Sequence, residues 1–121
     1  MLLPAVVALF VGQPCPPTSP GRPYFDFQVS TPAVYLGTDS TRVRPDESRH
    51  ARRPYPADFA LAQFVVDTIG VPVPGTLKLL MQPAGLSAES VMMAIIAWRY
   101  RPARVGACKV PQLVQAPLRW K

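Results

Sequence analysis

One histidine, His50, and two cysteines, Cys15 and Cys108, are all the imidazole and thiol this 121-residue chain contains. A metal site needs three or four ligands at matching spacing, so none is expected. His50 stands among Arg49, Arg52 and Arg53, with no Ser or Cys nucleophile in a motif beside it, and reads as a surface residue. The seven acids are scattered, and no pair falls at a spacing that a helix or strand would bring together. The seven glycines stand singly, so no phosphate-cradling loop exists. Catalytic residues, metal ligands and cofactors are therefore all expected to be none, and the chain reads as a non-enzyme.

Acid is missing altogether after Glu89: the last 32 residues carry six Lys or Arg and no Asp or Glu. A second basic cluster holds Arg42, Arg44, Arg49, Arg52 and Arg53, diluted by Asp46 and Glu47, and the net charge is +6. Such a balance favours anionic partners, whether nucleic acid, lipid or acidic protein, without choosing among them. A long apolar run is also lacking. Residues 2–12 carry no polar side chain, but a spanning helix needs about 20 residues. The length instead suits the apolar region of a secretory signal, so residues 1–12 are read as an export segment. Two cysteines allow one long-range disulfide in an oxidising compartment, and the sequence leaves open whether Cys15 and Cys108 pair.

Proline is abundant, with sixteen in the chain against a usual share of about 5%. Residues 13–23 hold five of them and read as an extended linker. Next comes a segment, 24–53, read as a strand followed by a basic loop. In residues 24–29, Phe25, Phe27 and Val29 alternate with Tyr24, Asp26 and Gln28, which predicts a strand with one buried face. A further strand is expected over 33–36, and 37–54 is polar and aperiodic. The remaining residues, 54–121, are read as the main domain. Residues 60–67 give the clearest strand, closed by an Asp67-Thr68-Ile69-Gly70 turn in which Gly70 accepts positive φ. A second strand over 76–80 pairs with it as an antiparallel hairpin.

Ser87 is a helix N-cap, with Glu89 in the first turn. The stripe Val91, Ala94, Ile95 and Trp98 predicts a helix from Ala88 to about Arg99, with Met92, Met93 and Ile96 widening a mostly covered apolar face. Arg99 would complement the helix C-terminus, Pro102 would stop the chain from continuing as helix, and Gly106 would turn it back. The last strand, 110–120, contains Pro111 and Pro117. A strand that tolerates two prolines is an edge strand or pairs on one side only, and the unpaired edge is either a managed hazard or a docking site.

The interleaving of Trp98 and Tyr100 with Arg99, Arg101 and Arg104 has two readings. One is a nucleic-acid module that stacks bases on the rings and holds phosphates with the cations. In the other, the rings anchor the core and the cations stay in water. Trp98 belongs to the buried helical stripe, which favours the second. A third possibility is a scaffold that dimerises through its last strand.

The order strand, turn, strand, helix, turn, strand predicts an α+β fold: a small antiparallel three-stranded sheet with one main helix packed on it. That order, with four motifs, resembles the C-terminal domain of TonB-type energy transducers. The motifs are Phe64-Val65-Val66-Asp67 followed by Gly70, and Thr76-Leu77-Lys78-Leu79-Leu80. They continue with Ala97-Trp98-Arg99-Tyr100-Arg101-Pro102-Ala103 followed by Gly106, and Val114-Gln115 followed by Pro117-Leu118 and Trp120. The resemblance covers about half the chain. It implies a periplasmic, cell-envelope protein that captures the TonB-box peptide of an outer-membrane transporter by strand addition. The docking strand would be Gln112, Leu113, Val114, Gln115 and Ala116, with Arg99, Arg101 and Arg104 steering the approach. Trp98, Tyr100, Pro102 and Gly106 would form the structural turn. Engagement of a proton-driven inner-membrane motor would require an anchor outside this chain, and a homodimer is the alternative assembly.

Overall fold

The computed structural model of the chain describes residues 15–38, 43–45, 60–82 and 85–120, with Arg119 and Trp120 described by backbone alone. The apolar segment 1–12, His50 and most of the polar stretch 37–54 lie outside the described residues. Among the described residues there are eight strands: β1 (Val34–Gly37), β2 (Val43–Pro45), β3 (Leu61–Val66), β4 (Lys78–Met81), β5 (Arg99–Arg101), β6 (Ala103–Val105), β7 (Cys108–Val110) and β8 (Gln112–Trp120). One helix, α1 (Ala88–Ile95), lies between β4 and β5.

The expected three-stranded sheet with a single main helix does not hold. The main sheet has four strands in the order β2-β8-β3-β4, and two further two-stranded sheets pair β1 with β5 and β6 with β7. Both misjudged stretches have a physical explanation. The stretch after α1 is strand, not helix and turn. Trp98 satisfies the helical stripe, but it also alternates with Tyr100 at period two, and Arg99 and Arg101 occupy the exposed positions between. The helix accordingly ends at Ile95, and Met92 and Met93 are exposed instead of covered. The second misjudged stretch is 24–29. Here the Phe25, Phe27 alternation is not a strand face but a 3-10 turn, Asp26–Gln28, with both rings exposed and stacked on each other at 5.6 Å.

Other local readings match the structure. β3 and β4 pair antiparallel, and Ser87 caps α1 by accepting from the Ser90 amide at 3.3 Å. Asp67 Oδ1 accepts from the amides of Ile69 and Val71 at 3.0 and 2.9 Å, which fixes the turn after β3. Gly70 sits there at φ +87°, and its carbonyl receives the Tyr100 amide at 2.9 Å. A Cβ at this position would lie 1.9 Å from the Tyr100 carbonyl oxygen, so only glycine permits the turn to dock on β5. Gly106, at φ +61°, turns β6 into β7.

The core lies between one face of the main sheet, α1, and the inner face of β1 and β5. At its centre four rings form a closed set of edge-to-face contacts. Tyr35 and Phe64 each meet both Trp98 and Tyr100, with centroids 5.7–6.0 Å apart. Each such pair adds about 0.5–1.5 kcal/mol beyond the area it buries. The Trp98 indole Nε1–H donates to the Val43 carbonyl at 3.2 Å, which ties β2 to the ring cluster. Cys15 and Cys108 form a disulfide with Cα atoms 5.6 Å apart, joining the proline-rich segment to β7. The loop it closes spans 93 residues, which in the chain-entropy model stabilises the fold by about 4–5 kcal/mol.

Candidate strand-docking site

The site begins with the parity of β8. Its register against β3 runs from Leu61 opposite Pro117 to Val66 opposite Gln112. One residue further, the Leu118 amide donates to the Ala60 carbonyl at 3.0 Å. Hydrogen-bonded pairs alternate in an antiparallel ladder, so residues 112, 114, 116 and 118 direct their backbone groups at β3. Residues 111, 113, 115 and 117 direct theirs the other way. Both prolines fall in this outward set. Neither removes a bond to β3, which is how a strand in the interior of the sheet order accommodates them.

The expectation that β8 is an edge strand is thus corrected in one part and sharpened in another. Over residues 118–120 the outward side is occupied by β2, with Val43 opposite Trp120 and Pro45 opposite Leu118. At the other end Tyr24 lies parallel to β8: its amide donates to the Pro111 carbonyl at 2.8 Å and its carbonyl accepts the Leu113 amide at 2.9 Å. Between these two closures no described strand pairs with β8. The carbonyl of Leu113, the amide and carbonyl of Gln115, and the carbonyl of Pro117 face outward there.

This gap opens on a groove of about 660 Å³. The edge of β8 lines it together with Phe25, Asp26, Phe27, Pro32, Ala33, Tyr35, Pro45, Gln63 and Tyr100. The five docking residues expected from sequence all lie along it, but they play different parts. Gln112 is buried, and its Oε1 accepts the Ala33 amide at 2.8 Å, so it bridges β8 to the residue just before β1. Val114 and Ala116 turn their side chains into the core. Leu113 is half-buried, and Gln115 is exposed, its Nε2 donating to Gln63 Oε1 at 3.0 Å.

The three arginines expected to steer are exposed, but none of them lines the groove. The Arg99 guanidinium donates to the carbonyls of Ile96 and Trp98 at 2.9 and 2.7 Å, closing the end of α1. Arg101 pairs with Val34 on β1, and Arg104 stands opposite Lys109 in the β6–β7 hairpin. Trp98 and Tyr100 are buried, so their ring faces are not offered to bases. Pro102 separates β5 from β6.

Sequence reasoning missed the wall of the groove, Phe25 to Phe27, and the strand-like contact of Tyr24. A usable signal was present. The two phenylalanines flank an aspartate in a segment that Pro23 and Pro32 isolate, and Cys15 lies close enough to tether it. No family model, curated protein or solved structure matches the chain.

Proposed function

We propose that this protein captures a short extended peptide by strand addition at the open part of β8. The observation that carries the reading is the outward-facing amide and carbonyl of Gln115, set between the Leu113 and Pro117 carbonyls and bordering a groove with aromatic walls. An added strand satisfies those groups through its own backbone, which gives affinity with little demand on sequence. Tyr24 at one end and β2 at the other limit the paired run to residues 113–117. At about 3.4 Å per residue this accommodates roughly four to five residues of ligand.

Motif order supports a TonB-box segment of an outer-membrane transporter as the partner, with the periplasm as the place of encounter. The disulfide is in keeping with an oxidising compartment. Among the described residues no helix is long and apolar enough to cross a membrane. Arg99, Arg101 and Arg104, exposed beyond the groove, would speed approach to an acidic transporter face in a salt-dependent way.

The direct test is binding of a fluorescent TonB-box peptide to the wild-type protein and to Gln115→Pro, measured by anisotropy. Strand addition requires at least a tenfold loss in the variant. Equal affinity rules the mode out, and self-association of the wild type in place of peptide binding would favour the dimer.

A further inference from the structure

We infer that the groove selects an extended, mainly apolar segment carrying one Lys or Arg, whose cation is received by Asp26 and the Phe25 and Phe27 rings. This rests on the strand-addition reading and adds the sign and type of side chain that the site prefers. Charge distribution is the first argument. The chain is +6 overall, yet Asp26 is the single charged residue among those described along the groove. The charge at the groove is thus opposite in sign to the net charge of the chain, and it stands beside the open strand edge.

The second argument is local geometry. Asp26 opens a 3-10 turn held at both ends: the Gln28 amide donates to the Phe25 carbonyl, and the Phe25 amide donates to Gln28 Oε1, each at 2.9 Å. Tyr24, immediately before the turn, is bonded to Pro111 and Leu113. The backbone that carries Asp26 is therefore held beside β8 and is not a loose loop. No described side chain pairs with it, although thirteen Lys and Arg are present in the chain.

The third argument is aromatic exposure. Phe25 and Phe27 are 45% and 79% exposed and stack on each other, with Asp26 between them in sequence. An exposed carboxylate on the same short turn as two exposed rings suits a cation, which gains from the outer face of a ring as well as from the carboxylate. A phosphate backbone or an acidic peptide meets repulsion at the same place.

The test uses the full chain with its disulfide intact. The probe is the peptide acetyl-Thr-Val-Thr-Val-Thr-amide, with a single Lys, Gln or Glu moved through its five positions. At one or two positions Lys should bind about fivefold more tightly than Gln, and Glu correspondingly more weakly. In Asp26→Asn that preference should fall to about one, and in Asp26→Lys it should reverse. Gln115→Pro should weaken all the peptides alike. If Lys, Gln and Glu peptides bind equally to the wild type while Gln115→Pro still abolishes binding, the charge inference is overturned and strand addition stands. If Gln115→Pro leaves binding unchanged, or no peptide of the set binds, strand addition fails and the charge inference fails with it.

Discussion

Proline substitution along β8 separates the two sides of the strand more sharply than any other perturbation. The Val114 amide faces β3 opposite Phe64, whereas the Gln115 amide faces the groove. In Val114→Pro the ladder loses a donor and a buried Phe64 carbonyl is left unpaired, at about 1–3 kcal/mol. Truncating a side chain packed on the core costs about 1 kcal/mol more, and the ring clashes with the neighbouring strand. A total of at least about 3 kcal/mol is expected. In Gln115→Pro no ladder bond is lost. Only the Gln115 to Gln63 side-chain bond goes, and the cost stays within about 1 kcal/mol. Melting followed by the fluorescence of buried Trp98 provides the assay. At about 4 °C per kcal/mol for a chain of this size, Val114→Pro should lower Tm by about 12 °C and Gln115→Pro by no more than about 4 °C. Equal losses in the two variants would show that the parity assigned to β8 is wrong.

Further outcomes follow from single contacts. Gly70→Ala should cost about 2–4 kcal/mol, from strain at φ +87° and collision with the Tyr100 carbonyl. Gly75→Ala, with nothing within 4 Å of the added carbon, should be neutral or slightly stabilising when the two variants are compared by urea titration. Trp98→Ala should cost about 3–5 kcal/mol by chemical denaturation, since it empties the centre of the ring cluster and removes the donor to Val43. Replacing both Cys15 and Cys108 by Ser should lose about 4–5 kcal/mol. It should also speed hydrogen exchange at the Leu113 amide, whose acceptor, Tyr24, lies on the segment the disulfide tethers.

The elements legible in the sequence were those whose signal is local. Asp67 and Gly70 specify their turn without help from distant residues, Ser87 caps α1, and the β3–β4 hairpin follows from two apolar runs flanking that turn. Prolines 111 and 117 suggested an edge strand, whereas β8 lies between β2 and β3 and the two prolines only fall on the side turned away from β3. They could not reveal that β2 would cover residues 118–120, because pairing between residues 43–45 and 118–120 has no local sequence signature. The error after α1 arose from a real degeneracy. Trp98 fits both a helical stripe and a strand alternation, and only the exposed Arg99 and Arg101 on either side of Tyr100 break the tie. Phe25 and Phe27 misled in the opposite direction, since an alternating apolar pair implies a buried face only when something covers it. The groove depends on this exposed turn and on tethering by Cys15, so its wall could not be placed from residues 112–116 alone.

Strand addition is tested most directly by amide chemical shifts of isotope-labelled protein titrated with a TonB-box peptide. The Gln115 amide should move downfield as it acquires a hydrogen-bond partner, with smaller changes at Leu113, Val114 and Ala116 and at the Phe25–Phe27 wall. A saturating titration that leaves Gln115 in place while shifting the exposed residues of β5 and β6 would contradict docking at β8.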